Sequence, residues 1–225
     1  MADAASTPQE PGFVPALGRL GTRFYDPVVR LTTREARFKH RLLDIAGIRA
    51  GERVLDLGCG TGTLAIGARE RQPAARIVGL DADPGMLERA RRKAQAAGVE
   101  LELDQGSATE LPYRDRSFDV VLSSLLFHHL DRDAKEAAAR EIARVLAPGG
   151  RLAIADWGAP SDPVMRALFV TIQLVDGFGT TADNVAGHLP DILSGAGLAA
   201  VHERERLRTV YGSLVLLQAG ARRGR

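Results

Sequence analysis

Cysteine is almost missing from this chain. Cys59 is the only one, which excludes an intramolecular disulfide framework and a cysteine-rich zinc site. Excess charge is missing too. Thirty basic against 28 acidic side chains leave a net charge of +2, both signs are mixed along the chain, and no basic stripe argues for nucleic acid. The run "ERARRKAQ" (Glu88–Gln95) reads as a solvated helix face. No uninterrupted apolar stretch approaches the roughly 20 residues of a membrane helix. The start, "MADAASTPQEPG", has no cationic segment followed by an apolar one, so no signal peptide is read there. There is no internal repeat. A cytoplasmic protein with an ordinary core is expected, since 45% of its 225 residues are hydrophobic.

What is present is a rhythm. Residues 1–12 are small and polar with two prolines and read as a disordered lead-in. From Phe13 to Ala46 the pattern is helical, and "TREARFKHRLLDIAGI" repeats apolar residues every three or four positions up to Gly47. Strands are then expected at "RVLDLG", "RIVGLDA", "VELELD", "FDVVLSS" and "RLAIADW", with helices between most of them. In "DPGMLERARRKAQAAG" Asp83 is the cap, Pro84 opens the helix and Gly98 ends it. The helix "DAKEAAAREIARVLAPGG" stops at Pro148. This alternation implies an α/β fold with a parallel sheet covered on both faces. Such sheets bind ligands at the strands' carboxyl ends, where strand order reverses. After Trp157, "SDPVMRALFVTIQLVDGFG" is an apolar helical insertion and "HLPDILSGAGL" a short helix. Two last strands, around "AAVHERERL" and "YGSLVLLQA", are too close for a helix between them and should form an antiparallel edge hairpin.

The stretch "RVLDLGCGTGTLAIGA" (Arg53–Ala68) is a strand, a glycine turn and a helix. Its third glycine comes one position too early for a dinucleotide fingerprint, and the lysine of a phosphate loop is missing. Asp56, two residues before the first glycine, is poorly placed for pyrophosphate and better suited to a cationic ligand. The second strand ends in "VGLDAD", so Asp81 stands nineteen residues after Gly62. A carboxylate there can accept both hydroxyls of a ribose.

Together, "VLDLGCGTG", "GLDADPGML", "QGSATELPY", "SFDVVLSSLLFHHL" and "VLAPGGRLAIADW" resemble the successive motifs of class I S-adenosylmethionine-dependent methyltransferases. The resemblance runs over roughly residues 40–157 and is strongest to the small-molecule branch similar to ubiquinone/menaquinone C-methyltransferases. It implies a Rossmann-like, doubly wound, seven-stranded, mostly parallel sheet, with N-terminal cap helices (13–46) and a methyltransferase domain (47–225) carrying a cap insertion at about 159–190. It implies S-adenosylmethionine as cofactor. Gly58, Cys59, Gly60 and Gly62 would lie against its methionine part, and Asp56 would orient its ammonium. Asp81 would bind the ribose, and Ala82 and Met86 would pack on the adenine, with ordinary core packing the alternative for Met86. Ser107 stands where the family usually has an acidic residue and would meet the adenine amino group without charge. Ala108 would offer its N–H to the ring, and Ser123 would line the cofactor with its main chain.

The motifs say much less about the acceptor. "SSLLFHH" is not the Asn/Asp-Pro-Pro-Tyr pattern of amine methylation in DNA bases and glutamine side chains, and no Pro-Cys pair supplies a cytosine-attacking thiol. No acidic pair follows the fourth strand, and Asp156 alone is a poor hard-metal site, so no metal is expected. His128 and His129 lie where substrate meets donor. Neighbouring rings at a helix start diverge, so at most one should face the cleft, and His128 is the candidate to orient or deprotonate the acceptor. A loop or capping role is the alternative. Tyr25 in "RFYDPVV" resembles an aromatic placed over the cofactor, with packing as its alternative; His40, His188 and His202 read as structural. The expected acceptor is a small, partly apolar molecule enclosed by the cap, with Phe127 and Trp157 opposite it, and neither nucleic acid nor membrane is expected as a partner. A dehydrogenase, which the glycine spacing disfavours, a non-catalytic cofactor-binding or assembly protein, and an RNA or protein methyltransferase are the other readings.

Overall fold

Seven strands form one sheet in the order β3-β2-β1-β4-β5-β7-β6. The computed structural model describes residues 35–222. The strands are β1 (Arg53–Leu57), β2 (Arg76–Asp81), β3 (Glu102–Gln105), β4 (Phe118–Ser124), β5 (Leu146–Trp157), β6 (Leu198–Thr209) and β7 (Gly212–Ala221). The first five run parallel, and β7 pairs antiparallel with both β5 and β6. The expected closing hairpin is present, but only β6 is an edge; β7 is interior. Helices α1 (Glu35–Ala46), α2 (Thr63–Arg71), α3 (Pro84–Ala96) and α4 (Arg132–Val145) alternate with the strands, and α5 (Pro163–Asp176), α6 (Phe178–Ala186) and α7 (Leu189–Gly195) follow β5. The order is the doubly wound one, reversing between β1 and β4. None of the described helices is long and apolar enough to cross a membrane.

Side chains alternate across each strand, and both faces are dry, so the parallel strands read as nearly continuous apolar runs. Leu55, Leu57, Val121 and Ile154 face Ile142 of α4 and Leu193 of α7. Val54, Val120, Leu122, Ala153 and Leu216 face Phe38 and Leu42 of α1, Leu64 and Ala68 of α2, and Phe169 of α5. Each fully buried leucine contributes about 1.5–3 kcal/mol relative to exposure. Arg151 clamps the foot of α1 to the sheet, donating to the carbonyls of Ala46 and Gly47 and to both carboxylate oxygens of Glu52.

The caps fall where the side chains require. Asp83 accepts from the Gly85 N–H with Pro84 in the first turn, and Gly98 leaves α3 with φ 67°. Asp131 caps α4 and Asp162 caps α5 in the same way. The buried Lys135 of α4 donates to the carbonyl oxygens of Leu130 and Thr180, and Arg132 meets Asp183 of α6 at 2.6 Å. These contacts fasten the insertion after β5 onto the carboxyl edge of the sheet.

Candidate active site

The register brings the ends of β2, β1, β4 and β5 to one level, with Asp56 opposite Gly79 and Leu122, and Leu57 opposite Leu80 and Ser123. From this edge the glycine loop rises. Gly58, Gly60 and Gly62 all have left-handed φ, at 69°, 54° and 75°, a conformation that L side chains resist. Their surroundings differ. A Cβ on Gly62 would stand 3.0 Å from Ala90 of α3, and one on Gly58 would stand 2.9 Å from the Leu126 side chain. Only Gly60 looks into open space, with nothing within 4 Å of an added Cβ. Two of the three glycines expected at the cofactor are therefore held by protein packing here. Cys59 turns its buried thiol toward β2, where a Cβ on Gly79 would be 3.0 Å from the sulfur, and burial pushes that thiol up. What Cys59 can offer a ligand is its main chain.

Asp56 is wholly buried, and neither of its carboxylate oxygens has a hydrogen-bond partner of normal geometry. Burial pushes its carboxyl up to about 7, and the Lys39 charge and the Ala65 N–H offset only part of that cost. An orphaned buried carboxylate is expensive unless something positive or hydrogen-bonding meets it. Asp81, at the end of β2, accepts from the Gly60 N–H through Oδ2 at 2.7 Å and from the Asp83 N–H through Oδ1 at 2.9 Å. Each oxygen keeps a second lone pair for a ligand. Burial raises its carboxyl, against the pull of those two N–H groups. Beyond it Ala82 is exposed and Met86 half-buried. The Ser107 hydroxyl is engaged within its own turn, accepting from the Thr109 N–H and meeting the Thr109 hydroxyl at 2.7 Å. Ala108 is half-buried beside it. Ser123 is buried with its hydroxyl unpartnered. The set suits S-adenosylmethionine. It offers a buried carboxylate with no hydrogen bond of normal geometry, a second aspartate at the end of β2 with lone pairs to spare, and Gly60 open to space.

Past β4 the chain turns through Leu125, a non-glycine residue at φ 56°, into a single 3-10 turn, Phe127–His129. Such backbone costs about 1–3 kcal/mol and clusters at functional sites. His128 Nδ1 lies 2.8 Å from Asp156 Oδ1 at the end of β5. Asp156 also accepts from the N–H groups of Phe127 and Trp157, at 2.7 Å each, and from the Asn184 side chain of α6 at 3.3 Å. With Nδ1–H given to the carboxylate, Nε2 holds the free lone pair. The two histidine rings do not diverge. Their centroids are 3.9 Å apart, and both approach Asp176, the last residue of α5, at 3.7 Å. A 3-10 turn, tighter than the expected helix start, puts them side by side.

Phe127 corrects another expectation. It is fully buried among the core residues beneath the sheet's edge and cannot face a ligand. Trp157 is buried against Phe169 of the insertion, at 5.7 Å between rings, and stands edge-on to His128 at 6.3 Å. Tyr25 lies outside the described residues. His40 pairs with Arg71 at 2.8 Å, and His188 approaches Asp183 at 3.4 Å, both in structural roles. Asp176 and Asn184 are the site residues that sequence reasoning missed; they reach His128 and Asp156 from the insertion.

The pattern of the family described as "Methyltransferase domain" matches residues 54–150. Those residues form a methyltransferase domain. A demethylmenaquinone methyltransferase from Thermus thermophilus is 41% identical over 138 residues, covering 60% of this chain and 62% of that one. A 27-O-demethylrifamycin SV methyltransferase from Amycolatopsis mediterranei is 37% identical, covering 59% and 48%. The crystal structure of YcgJ from Bacillus subtilis superimposes with a TM-score of 0.65 at 25% identity, over 83% of this chain and 98% of that one. The chain spans about half to three-fifths of the length of the curated relatives it matches. The matched residues run from β1 to the start of β5 and include the glycine loop and the histidine turn.

Proposed function

We propose that this protein transfers a methyl group from S-adenosylmethionine to a small, partly apolar acceptor in the cytoplasm. The observation that carries the reading is Asp56, a wholly buried carboxylate whose oxygens have no hydrogen bond of normal geometry, at the end of the strand that leads into the loop whose Gly60 faces open space. When bound, the cofactor supplies an already activated methyl on a sulfonium. The chain is left with alignment, exclusion of water and, for a protonated acceptor, removal of a proton.

Asp56 pairs with the ammonium, Asp81 accepts the ribose hydroxyls, Gly60 lets the backbone close in, and the main chain at Ser123 and Ala108 completes the cradle. Ser107 meets the adenine without charge. The insertion, held by the Lys135 and Arg132 contacts, keeps water from the sheet's edge. His128 Nε2 takes the acceptor's proton, with Asp156 holding Nδ1–H and stabilising the imidazolium that forms. The names of the quinone and rifamycin relatives support a small acceptor with an apolar body. The mixed surface charge disfavours RNA. Incubating cell extract with the protein and methyl-labelled cofactor, followed by mass spectrometry, tests the reading. Label in a small molecule is expected, and label chiefly in RNA or protein overturns the acceptor class.

A further inference from the structure

The proposed transfer uses one lone pair of one histidine, and two more donors stand unused beside it. One ligating atom from each of His128, His129 and Asp176 lies within 4.8 Å of the others. His128 Nε2 is 3.7 Å from Asp176 Oδ2, and His129 Nδ1 is 3.7 Å from Asp176 Oδ1. The three residues are 4%, 8% and 5% exposed, so the cluster is shut away from bulk water. His129 Nδ1 and Asp176 Oδ1 nonetheless have no hydrogen-bond partner. Buried polar atoms are nearly always satisfied, and here two orphans face each other with a third donor alongside.

We propose that His128, His129 and Asp176 bind one divalent transition-metal ion of the zinc class, and that the ion, by taking the Nε2 lone pair of His128, switches methyl transfer off. The site itself stands independently of the function proposed above; its inhibitory effect rests on His128 acting as the base.

The donor set selects the ion. Two imidazole nitrogens and one carboxylate suit zinc and its neighbours, whereas magnesium and calcium prefer oxygen alone. Bonds of about 2.0–2.1 Å in tetrahedral geometry place neighbouring ligand atoms about 3.3 Å apart; the two 3.7 Å gaps run to different oxygens of Asp176 and the three donors lie within 4.8 Å of one another, so binding draws them together by up to about 1.5 Å. The orientation is already fixed. Asp156 holds the Nδ1–H of His128 at 2.8 Å, the carboxylate–histidine–metal arrangement that points Nε2 at an ion. Three protein ligands leave a fourth position for water or an acceptor atom.

The test uses the full chain stripped with EDTA and dialysed. Zinc is titrated against a chromophoric chelator, and cobalt(II) serves as a spectroscopic probe. One zinc per chain is expected, together with the visible bands of four-coordinate cobalt. His129→Ala and Asp176→Asn should each weaken zinc at least tenfold, with S-adenosylhomocysteine binding retained as the check on folding. Less than stoichiometric zinc uptake, or uptake unchanged in both folded variants, overturns the site. Zinc should also suppress methyl transfer in the wild type and much less in His129→Ala. Zinc bound through these ligands without suppression would keep the site and overturn the base role of His128.

Discussion

Asp156 fixes His128. Its Oδ1 lies 2.8 Å from the imidazole Nδ1, and the same carboxylate is pinned by the backbone N–H groups of Phe127 and Trp157. The pair joins the ends of neighbouring strands β4 and β5 and presents Nε2 as the free nitrogen. His128→Ala should lower turnover by roughly a hundredfold or more, the low end for loss of a general base, while cofactor affinity persists. Asp156→Asn should lower turnover too and shift its pH profile. A His128→Ala protein of undiminished turnover would remove the histidine from the mechanism.

Asp56 gives the protein a pH-dependent weakness when no ligand is bound. Its folded carboxyl, pushed up to about 7 by burial, lies above the usual aspartate value of about 3.9. Between those values the folded state holds a proton that the unfolded state has lost. Stability is therefore fully present below pH 4 and falls as pH rises toward 7, by an amount on the order of a few kcal/mol. Asp56→Asn removes the effect. Chemical denaturation should show the variant gaining on the wild type between pH 5 and pH 8, and parallel stability curves would contradict the assignment.

The glycine loop separates two roles that its sequence runs together. Gly62→Ala combines a φ of 75° with contact against Ala90 at 3.0 Å, so it should cost stability, about 1–3 kcal/mol. Gly60→Ala meets nothing. It should cost less in the unliganded protein and much more in cofactor affinity. Thermal melts with and without S-adenosylhomocysteine separate the two, and equal losses from both substitutions would count against the cradle.

Chelation should leave methyl transfer intact, or raise it if zinc co-purifies. The reaction proposed here assigns His128 rather than an ion to the acceptor's proton. Activity lost to EDTA and restored by magnesium would show a different chemistry at this edge.

Much of the fold was legible because its signals are local. The Asp83-Pro84 cap, the Gly98 stop and the apolar runs of β1, β2, β4 and β5 each depend on neighbours in sequence. The places of Asp56, Gly60 and Asp81 at the carboxyl edge of the sheet were legible for the same reason, since each occupies a fixed offset from a strand end. What escaped was set by packing across the chain. That Gly58 is covered by Leu126, that the Cys59 thiol faces β2, and that Phe127 points into the core depend on which way a turn rolls. Asp176 and Asn184 meet the histidine turn from an insertion whose docking rests on Lys135 and Arg132, and no sequence offset encodes that. His128, four residues past β4, and Asp156, next to last in the adjacent β5, do lie at the ends of neighbouring strands, a pairing that the strand order alone could have suggested.

Binding of the cofactor is the claim on which everything else depends, and isothermal titration calorimetry measures it directly. S-adenosylmethionine and S-adenosylhomocysteine should bind and NAD should not. Asp81→Ala should weaken both by about 2–4 kcal/mol, the worth of two charge-assisted hydrogen bonds. Tight binding of NAD, or an Asp81→Ala protein with unchanged affinity for S-adenosylhomocysteine, would contradict the account.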